Sequence, residues 1–202
     1  AMGLSLVGSE MCIRDSSRSA AKAEISFSVN TTSNTPTLTL AAGLVCVGAT
    51  ENILMASVLA KGETKISNAA REPEIEDLSN CLIKMGAKIE GHGTKTILVQ
   101  GVTNLKKAEH EIIADRIVAG TYIIAALMLN SALEINNFNT IYLKSLIDIL
   151  KKMGAKLKVS KNSIKVSKGS KLKSTSFSTS PYPGFPTDLQ AQLMSLMCIS
   201  NG

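Results

Sequence analysis

The residues best placed to do chemistry lie in a proline-rich stretch, Ser-Pro-Tyr-Pro-Gly-Phe-Pro-Thr-Asp-Leu-Gln-Ala-Gln-Leu at positions 180–193. Three prolines in six residues exclude a helix or a central strand and predict an extended segment. Thr187 and Gln190 have the spacing of a capping box, which predicts Thr187 as the N-cap of a helix. Asp188 would then open that helix, with its carboxylate at the positive end of the helix dipole. A carboxylate fixed in this way can serve as a base, but ordinary helix capping explains it equally well.

A second candidate site comprises Val45, Cys46, Val47 and Gly48, which lie just before a predicted apolar helix. The N-terminus of a helix presents backbone N–H groups and the positive end of the dipole, so it can bind an anion. Gly48 has no side chain and would let a ligand approach the backbone closely. A plain helix start explains the same four residues.

Asp115 and Arg116 stand side by side at the start of another predicted unit. They can belong to a ligand-binding cleft or form a solvated charge pair. His92 and His110 have no convincing partner in the sequence, so we expect both to face solvent.

Composition excludes several classes of protein. The 202 residues are 45% hydrophobic with no Trp, so they can form a sizeable aliphatic core. The longest apolar stretch, 123–129, is far too short to span a bilayer. The four cysteines, at 12, 46, 81 and 198, show neither paired nor metal-like spacing. We therefore expect no disulfide framework and no metal site, and free thiols in a reducing cytoplasm.

Nine lysines fall between Lys151 and Lys173 with no acidic residue among them, and they dominate the formal net charge of +6. A nucleic-acid patch would explain them, but the stretch has no aromatic residue and no Arg. The lysines alternate with apolar residues, which is typical of the exposed face of a sheet. We therefore expect solvated strands and no nucleic-acid partner.

One motif occurs twice. Leu-Ile-Lys-Met-Gly-Ala-Lys-Ile at 82–89 returns as Leu-Lys-Lys-Met-Gly-Ala-Lys-Leu at 150–157, about 68 residues later. An amphipathic helix is predicted before each copy, because apolar residues recur at i, i+3 and i+7. Gly86 and Gly154 suit the left-handed residue that ends a helix. Short alternating strands are predicted after each glycine, at 88–90, 96–99, 156–159 and 164–166.

Three further helices are apolar on nearly every side, which is typical of buried helices. They are predicted at 53–59, 123–129 and 193–199. One buried helix, one amphipathic helix and several half-exposed strands per unit predict an α/β (α+β) fold with helices inside and sheets outside.

The first part of the chain needs separate treatment. Residues 1–21, read back into codons, resemble the end of a sequencing adapter, and they lack the basic start and apolar core of a signal peptide. We expect a non-native leader there. Residues 30–44 follow a predicted strand at 23–27 and loosely echo the next helix. They can be a true insertion or a frameshifted join.

Four blocks of this sequence resemble UDP-N-acetylglucosamine enolpyruvyl transferases (UDP-N-acetylglucosamine 1-carboxyvinyltransferases). They are Val-Gly-Ala-Thr-Glu-Asn at 47–52, Asn-Ala-Ala-Arg-Glu-Pro-Glu-Ile at 68–75, Asp-Arg-Ile-Val-Ala-Gly-Thr at 115–121 and Pro-Gly-Phe-Pro-Thr-Asp-Leu-Gln-Ala-Gln at 183–192. The resemblance covers residues 45–202 and implies the family's inside-out α/β barrel. It implies that 22–113 close the catalytic domain and that 114–202 begin a second, truncated domain. The rest of the enzyme would then be the chain's partner.

The resemblance also implies a reaction without metal or other cofactor, in which phosphoenolpyruvate gives its enolpyruvyl group to the 3′-hydroxyl of UDP-N-acetylglucosamine at the start of peptidoglycan synthesis. Asp188 would accept the hydroxyl proton, Thr187 and Asp115 would line the substrate site, and residues 45–48 would hold the diphosphate. Leu44 and Cys46 stand where the family has a lysine and a serine, so we expect weaker diphosphate binding. The family's reactive cysteine loop and phosphate-binding arginines lie outside these 202 residues, so we expect the chain alone to be inactive.

Two other interpretations stay open. The sister enolpyruvyl transferase of the shikimate pathway shares the architecture, but its arginine-rich and Asn-Ser-Gly-Thr motifs do not occur here. A non-enzymatic basic α/β binding module would bind oligonucleotides with an affinity that falls steeply with salt.

Overall fold

The computed structural model describes the backbone of residues 25–30 and 37–42 and the whole of residues 45–202. The predicted leader at 1–21 lies outside the described residues, as do 31–36 and 43–44. The strands are β1 (Ile25–Asn30), β2 (Thr37–Ala42), β3 (Glu63–Ser67), β4 (Lys88–Glu90), β5 (Thr96–Gln100), β6 (Leu133–Asn136), β7 (Leu157–Val159) and β8 (Ser163–Val166). The helices are α1 (Val47–Ser57), α2 (Pro73–Lys84), α3 (Arg116–Met128), α4 (Lys144–Lys152) and α5 (Gln190–Cys198), with 3-10 turns at Thr140–Leu143 and Thr187–Leu189.

The chain divides into two compact units between Ile112 and Ile113. The first unit holds α1, α2 and a five-stranded sheet in the order β1-β2-β3-β5-β4. The second holds α3, α4, α5 and a three-stranded sheet in the order β6-β8-β7. Neighbouring strands are antiparallel except β2 and β3, which are parallel. Each unit has its own hydrophobic core between its sheet and its helices.

The strands predicted after each glycine are confirmed to within one residue. In β8 the side chains alternate, because Ile164 and Val166 are buried while Lys165 between them is exposed. All nine lysines from Lys151 to Lys173 are exposed, as a solvated face requires. The lysine of β7 at position 158 lies directly opposite Lys165 across the ladder.

The repeated motif forms the same helix end twice. Gly86 and Gly154 have φ angles of 104° and 95°, in the left-handed region that favours glycine. In each copy the glycine N–H donates to a carbonyl oxygen three residues earlier in the chain, at 2.9 Å. The carbonyl of the preceding methionine accepts a further bond in both units, from Lys106 N–H to Met85 at 2.8 Å and from Lys173 N–H to Met153 at 2.9 Å. The sequence repeat is therefore also a repeat of structure.

The three apolar helices bury one face each, so the prediction that they are buried all round is wrong for the residues described. Leu54 is fully buried in α1, whereas Met55 beside it is 46% exposed. Ile123 is buried in α3, whereas Leu129 at its end is 75% exposed. Each of these helices also carries exposed apolar side chains, such as those of Met55, Tyr122 and Met194.

Residues 37–42 form the strand β2. The similarity of this part of the sequence to the following helix therefore does not extend to its structure. The strands β3 and β6 were not among the predicted elements. Among the described helices, none combines the length and the apolar character needed to cross a bilayer.

Candidate active site

Asp188 lies in a 3-10 turn, Thr187–Leu189, that leads directly into α5. Its side chain is exposed, and it lies in the first turn as predicted, although as the second residue of the turn and not the first. Pro186 occupies the N-cap position, so the prediction of Thr187 as N-cap is wrong, and the turn makes no side-chain cap hydrogen bond. Pro186 has extended backbone angles, φ −73° and ψ 143°, and the turn therefore starts at Thr187 itself.

The residue after Asp188 anchors the turn in the core. Leu189 is fully buried and packs against Gly120 of α3. A Cβ atom built on Gly120 would lie 2.7 Å from Leu189 Cδ1, well inside van der Waals contact. Helix α3 and the Asp188 turn therefore approach each other so closely that any side chain at position 120 would force Leu189 to shift.

The segment 180–186, called the proline loop below, is held on the side facing α4 and the core. Gly184 N–H donates to the Pro181 carbonyl at 2.9 Å, which closes a tight turn within the loop. The Ser145 hydroxyl of α4 donates to the Gly184 carbonyl at 3.1 Å. The Phe185 ring meets Phe177 edge to face, with centroids 5.0 Å apart. These contacts fix the backbone that precedes Asp188.

Asp115 is exposed and caps α3. Its Oδ1 accepts hydrogen bonds from the N–H groups of Ile117 at 2.8 Å and Val118 at 3.0 Å. Such a cap stabilises a helix by about 1 kcal/mol. The carboxylate therefore has a structural role in this unit, and its role toward a substrate stays a prediction.

Arg116, by contrast, is only 6% exposed, and its Cζ lies 5.8 Å from the centroid of the Tyr182 ring. The interpretation of Asp115 and Arg116 as a solvated pair is therefore wrong for Arg116. The signal that sequence reasoning passed over is an arginine in the first helical position, where the helix dipole disfavours a cation.

The predicted anion site at residues 45–48 straddles the start of α1. Cys46 is the N-cap without a side-chain cap hydrogen bond, and Val47 and Gly48 already belong to the first turn. Thr50 holds this turn in place: its hydroxyl donates to the Cys46 carbonyl at 2.9 Å and accepts from Ala70 N–H at 3.0 Å. A Cβ on Gly48 would meet no atom of the described residues within 4 Å, so these residues leave the approach to this backbone open.

Three carboxyl groups, those of Glu51, Glu72 and Glu74, interact near α1. Burial raises the pKa of Glu51 above its ordinary value of 4.5, and the negative charges of Glu74 and Glu72 raise it further. These carboxylates oppose anion binding at the same helix. The backbone N–H groups of the first turn would therefore have to supply most of the attraction for a diphosphate.

His110 does not face solvent, so that prediction is wrong. Its Nε2 lies 2.9 Å from Asp77 Oδ1 on α2, and the two side chains are 11% and 14% exposed. The partners are 33 positions apart, because the chain after β5 folds back along α2. Within the part of the chain that the structure describes, no group of three or more His, Cys, Asp or Glu could hold a metal ion.

Comparison with known proteins gives a consistent result. The family model of EPSP synthase (3-phosphoshikimate 1-carboxyvinyltransferase) matches residues 14–202. A UDP-N-acetylglucosamine 1-carboxyvinyltransferase of Endomicrobium trichonymphae is 54% identical over 156 residues, which are 77% of this chain and 37% of the relative. That of Pelagibacter ubique (strain HTCC1062) is 48% identical over 157 residues, 78% of this chain and 38% of the relative. The chain thus spans less than two-fifths of these relatives.

A solved structure supports the fold. The enolpyruvyl transferase NikO from Streptomyces tendae superimposes with a TM-score of 0.71 over 87% of this chain and 47% of that chain, at 21% identity. At this identity the likeness concerns the fold alone. The predicted α/β architecture is therefore confirmed as that of an enolpyruvyl transferase.

Proposed function

The chain belongs to the family of EPSP synthase (3-phosphoshikimate 1-carboxyvinyltransferase), and from this premise we propose that it works as part of a UDP-N-acetylglucosamine 1-carboxyvinyltransferase. The proposed reaction moves the enolpyruvyl group of phosphoenolpyruvate to the 3′-hydroxyl of UDP-N-acetylglucosamine. Its proposed setting is peptidoglycan synthesis in the cytoplasm. Support comes from relatives that are 54% and 48% identical to this chain over the 156 and 157 matched residues and carry that activity in their names.

The observation that carries the proposal is the placement of Asp188. Its carboxylate is exposed, while the residues on both sides of it are fixed by Leu189 in the core and by the proline loop. An accessible base carried on a fixed backbone is suited to removing a proton from a bound hydroxyl.

The chemistry assigned to this carboxylate is one proton transfer. As the sugar oxygen bonds to C2 of phosphoenolpyruvate, Asp188 takes the hydroxyl proton and C3 gains a proton, which gives a tetrahedral adduct. Loss of a proton from C3 and cleavage of the C2–O bond to phosphate then restore the double bond and release inorganic phosphate. A carboxylate is a weak base toward a sugar hydroxyl, so proton removal accompanies C–O bond formation.

The second part of the proposal assigns the diphosphate to the start of α1. The open approach to Gly48 and the N–H groups of the first turn support this role. Leu44 and Cys46 supply no positive charge, and the neighbouring carboxylates are repulsive. We therefore propose a diphosphate contact made mainly by backbone groups. Asp115 and Thr187 are proposed to line the substrate site.

A chimera tests the proposal. Residues 47–202 of this chain replace the corresponding segment of the Endomicrobium relative, which supplies the rest of the enzyme. We expect phosphate release from phosphoenolpyruvate that depends on UDP-N-acetylglucosamine. A chimera that melts at the temperature of the parent enzyme but releases under about 1% as much phosphate would refute the proposal. Activity with 3-phosphoshikimate instead would favour the sister enzyme.

A further inference from the structure

We propose that Arg116 is a positioning residue for Asp188: it clamps the Tyr182 ring and so fixes the proline loop that carries the carboxylate. The inference rests on the proposed function for the role of Asp188. The clamp itself is a statement about contacts within one compact unit.

Arg116 is in an environment that is unfavourable for a cation by itself. It is the first residue of α3, where the positive end of the helix dipole repels it, and it is almost fully removed from water. A buried guanidinium needs partners that compensate for lost hydration. The Tyr182 ring, 5.8 Å from the guanidinium carbon, is one such partner, because the face of an aromatic ring attracts a cation.

The contact lies where it can orient Asp188. Arg116 and Gly120 are four residues apart and therefore lie on the same face of α3. Arg116 holds Tyr182, ahead of Asp188, and Gly120 receives Leu189, just after it. Asp188 therefore lies on a segment that is fastened at both ends to one helix face. Loss of the contact between Arg116 and Tyr182 would let the carboxylate change direction while Leu189 and the rest of the core stay packed.

The neighbouring residue does a different job. Asp115 fixes the start of α3 through its two hydrogen bonds to backbone N–H groups. The adjacent Asp115 and Arg116 thus divide the work: the carboxylate sets where the helix begins, and the guanidinium reaches from that start to the loop.

Amide hydrogen exchange of the full 202-residue chain, followed by NMR, tests the clamp without any need for activity. Two amides in the proline loop report on it directly: Ser180 N–H, bonded to the Phe185 carbonyl, and Gly184 N–H, bonded to the Pro181 carbonyl. In Arg116→Met, which keeps length but removes the charge, we expect both amides to exchange about tenfold faster or more.

Two further variants separate the clamp from general destabilisation. Tyr182→Leu removes the aromatic face and should behave like Arg116→Met. Lys158→Met removes a positive charge from an exposed site of the same unit and should change neither amide. If Arg116→Met left both loop amides at parental rates, or raised exchange equally throughout the unit, the clamp would be refuted.

The chimera described above then tests the consequence for catalysis. Arg116→Met should lower kcat about tenfold or more while the KM for phosphoenolpyruvate stays within twofold, because the carboxylate is misdirected rather than removed. An inactive parental chimera would count against the proposed function, whereas the loop exchange still decides the clamp. An active chimera in which Arg116→Met changes neither kcat nor loop exchange would refute the positioning role.

Discussion

Adding one methyl group at Gly120 should destabilise the second unit, although the same change usually strengthens a helix. The new Cβ would lie 2.7 Å from Leu189 Cδ1 and 3.2 Å from Leu146 Cδ2, which is about 1 Å and about 0.5 Å inside ordinary carbon contact. Both leucines are fully buried, so neither can swing into solvent to make room. Overpacking costs about 1–3 kcal/mol, and the upper part of that range, about 2–3 kcal/mol, applies where neither side chain can move away; the helix propensity of alanine returns about 1 kcal/mol. We expect Gly120→Ala to lose about 1–2 kcal/mol.

The matched control is the same substitution at Gly48, where a Cβ would meet no atom within 4 Å. Gly48→Ala should gain up to about 1 kcal/mol, because only the propensity term acts. Native-state amide hydrogen exchange measures both changes in stability, because amides of α3 report on the second unit and amides of α1 report on the first. In Gly120→Ala the Ile123 amide should exchange about 5–30 times faster, and in Gly48→Ala the Leu54 amide should exchange more slowly.

Whether Gly120→Ala lowers or raises the stability of the second unit tests this packing argument. A Gly120→Ala chain as stable as the parent, or more stable, would mean that α3 and the Asp188 turn have room to separate. The close packing of Leu189 against α3 would then not require glycine at position 120. A restored stability in Gly120→Ala/Leu189→Val would support it, because valine removes one of the crowded carbons.

Three other changes test separate parts of the structure. In the chimera, Asp188→Asn should lower turnover by about 10² or more, while the affinity for UDP-N-acetylglucosamine, measured by calorimetry, should fall much less. Turnover within about threefold of the parent, with sharply weaker binding, would make Asp188 a ligand contact and not the base. The pKa of Glu51 is raised on folding, so its contribution to stability is present below pH 4.5 and is lost as the pH rises through the folded-state pKa. Glu51→Gln should therefore raise the urea midpoint of the first unit at pH 7 more than at pH 4, and an equal shift at both pH values would contradict this. Lys158 lies opposite Lys165 across β7 and β8, so Lys158→Glu should stabilise the second unit by about 0.2–1 kcal/mol in low salt. The gain in urea midpoint should shrink in 1 M salt. No gain at low salt would show that the two lysines do not repel.

The elements that sequence reasoning found are those with a local signature. The glycine that ends each amphipathic helix, and the alternation around Lys165, follow from neighbours only a few residues away. The strand β3 escaped prediction because Glu-Thr-Lys-Ile-Ser at 63–67 is short and mostly polar, and it becomes a strand by pairing with β2 and β5.

The candidate site was predictable in its residues but less so in its contacts. Proline spacing and helix-start signals predict that Asp188 lies at the start of a helix, and its role as a base is a prediction from the family resemblance. The prediction of Thr187 as N-cap failed because Pro186 already supplies the extended residue before the turn. The contacts of Arg116 with Tyr182 and of His110 with Asp77 join distant parts of the chain. No pattern of neighbouring residues encodes such pairs, so they emerge only when the chain is folded.

The duplicated helix end at Gly86 and Gly154 bears on how the chain is made. Two segments with nearly the same sequence can compete for the same partners during folding, and misassembly of this kind is characteristic of repeat proteins. The copies are about 68 residues apart, so at ribosomal rates the first emerges roughly 3–14 s before the second. That interval far exceeds the microseconds in which helices and hairpins form. Because synthesis proceeds from the N-terminus, the first copy can pack against its own sheet before the second copy has been made.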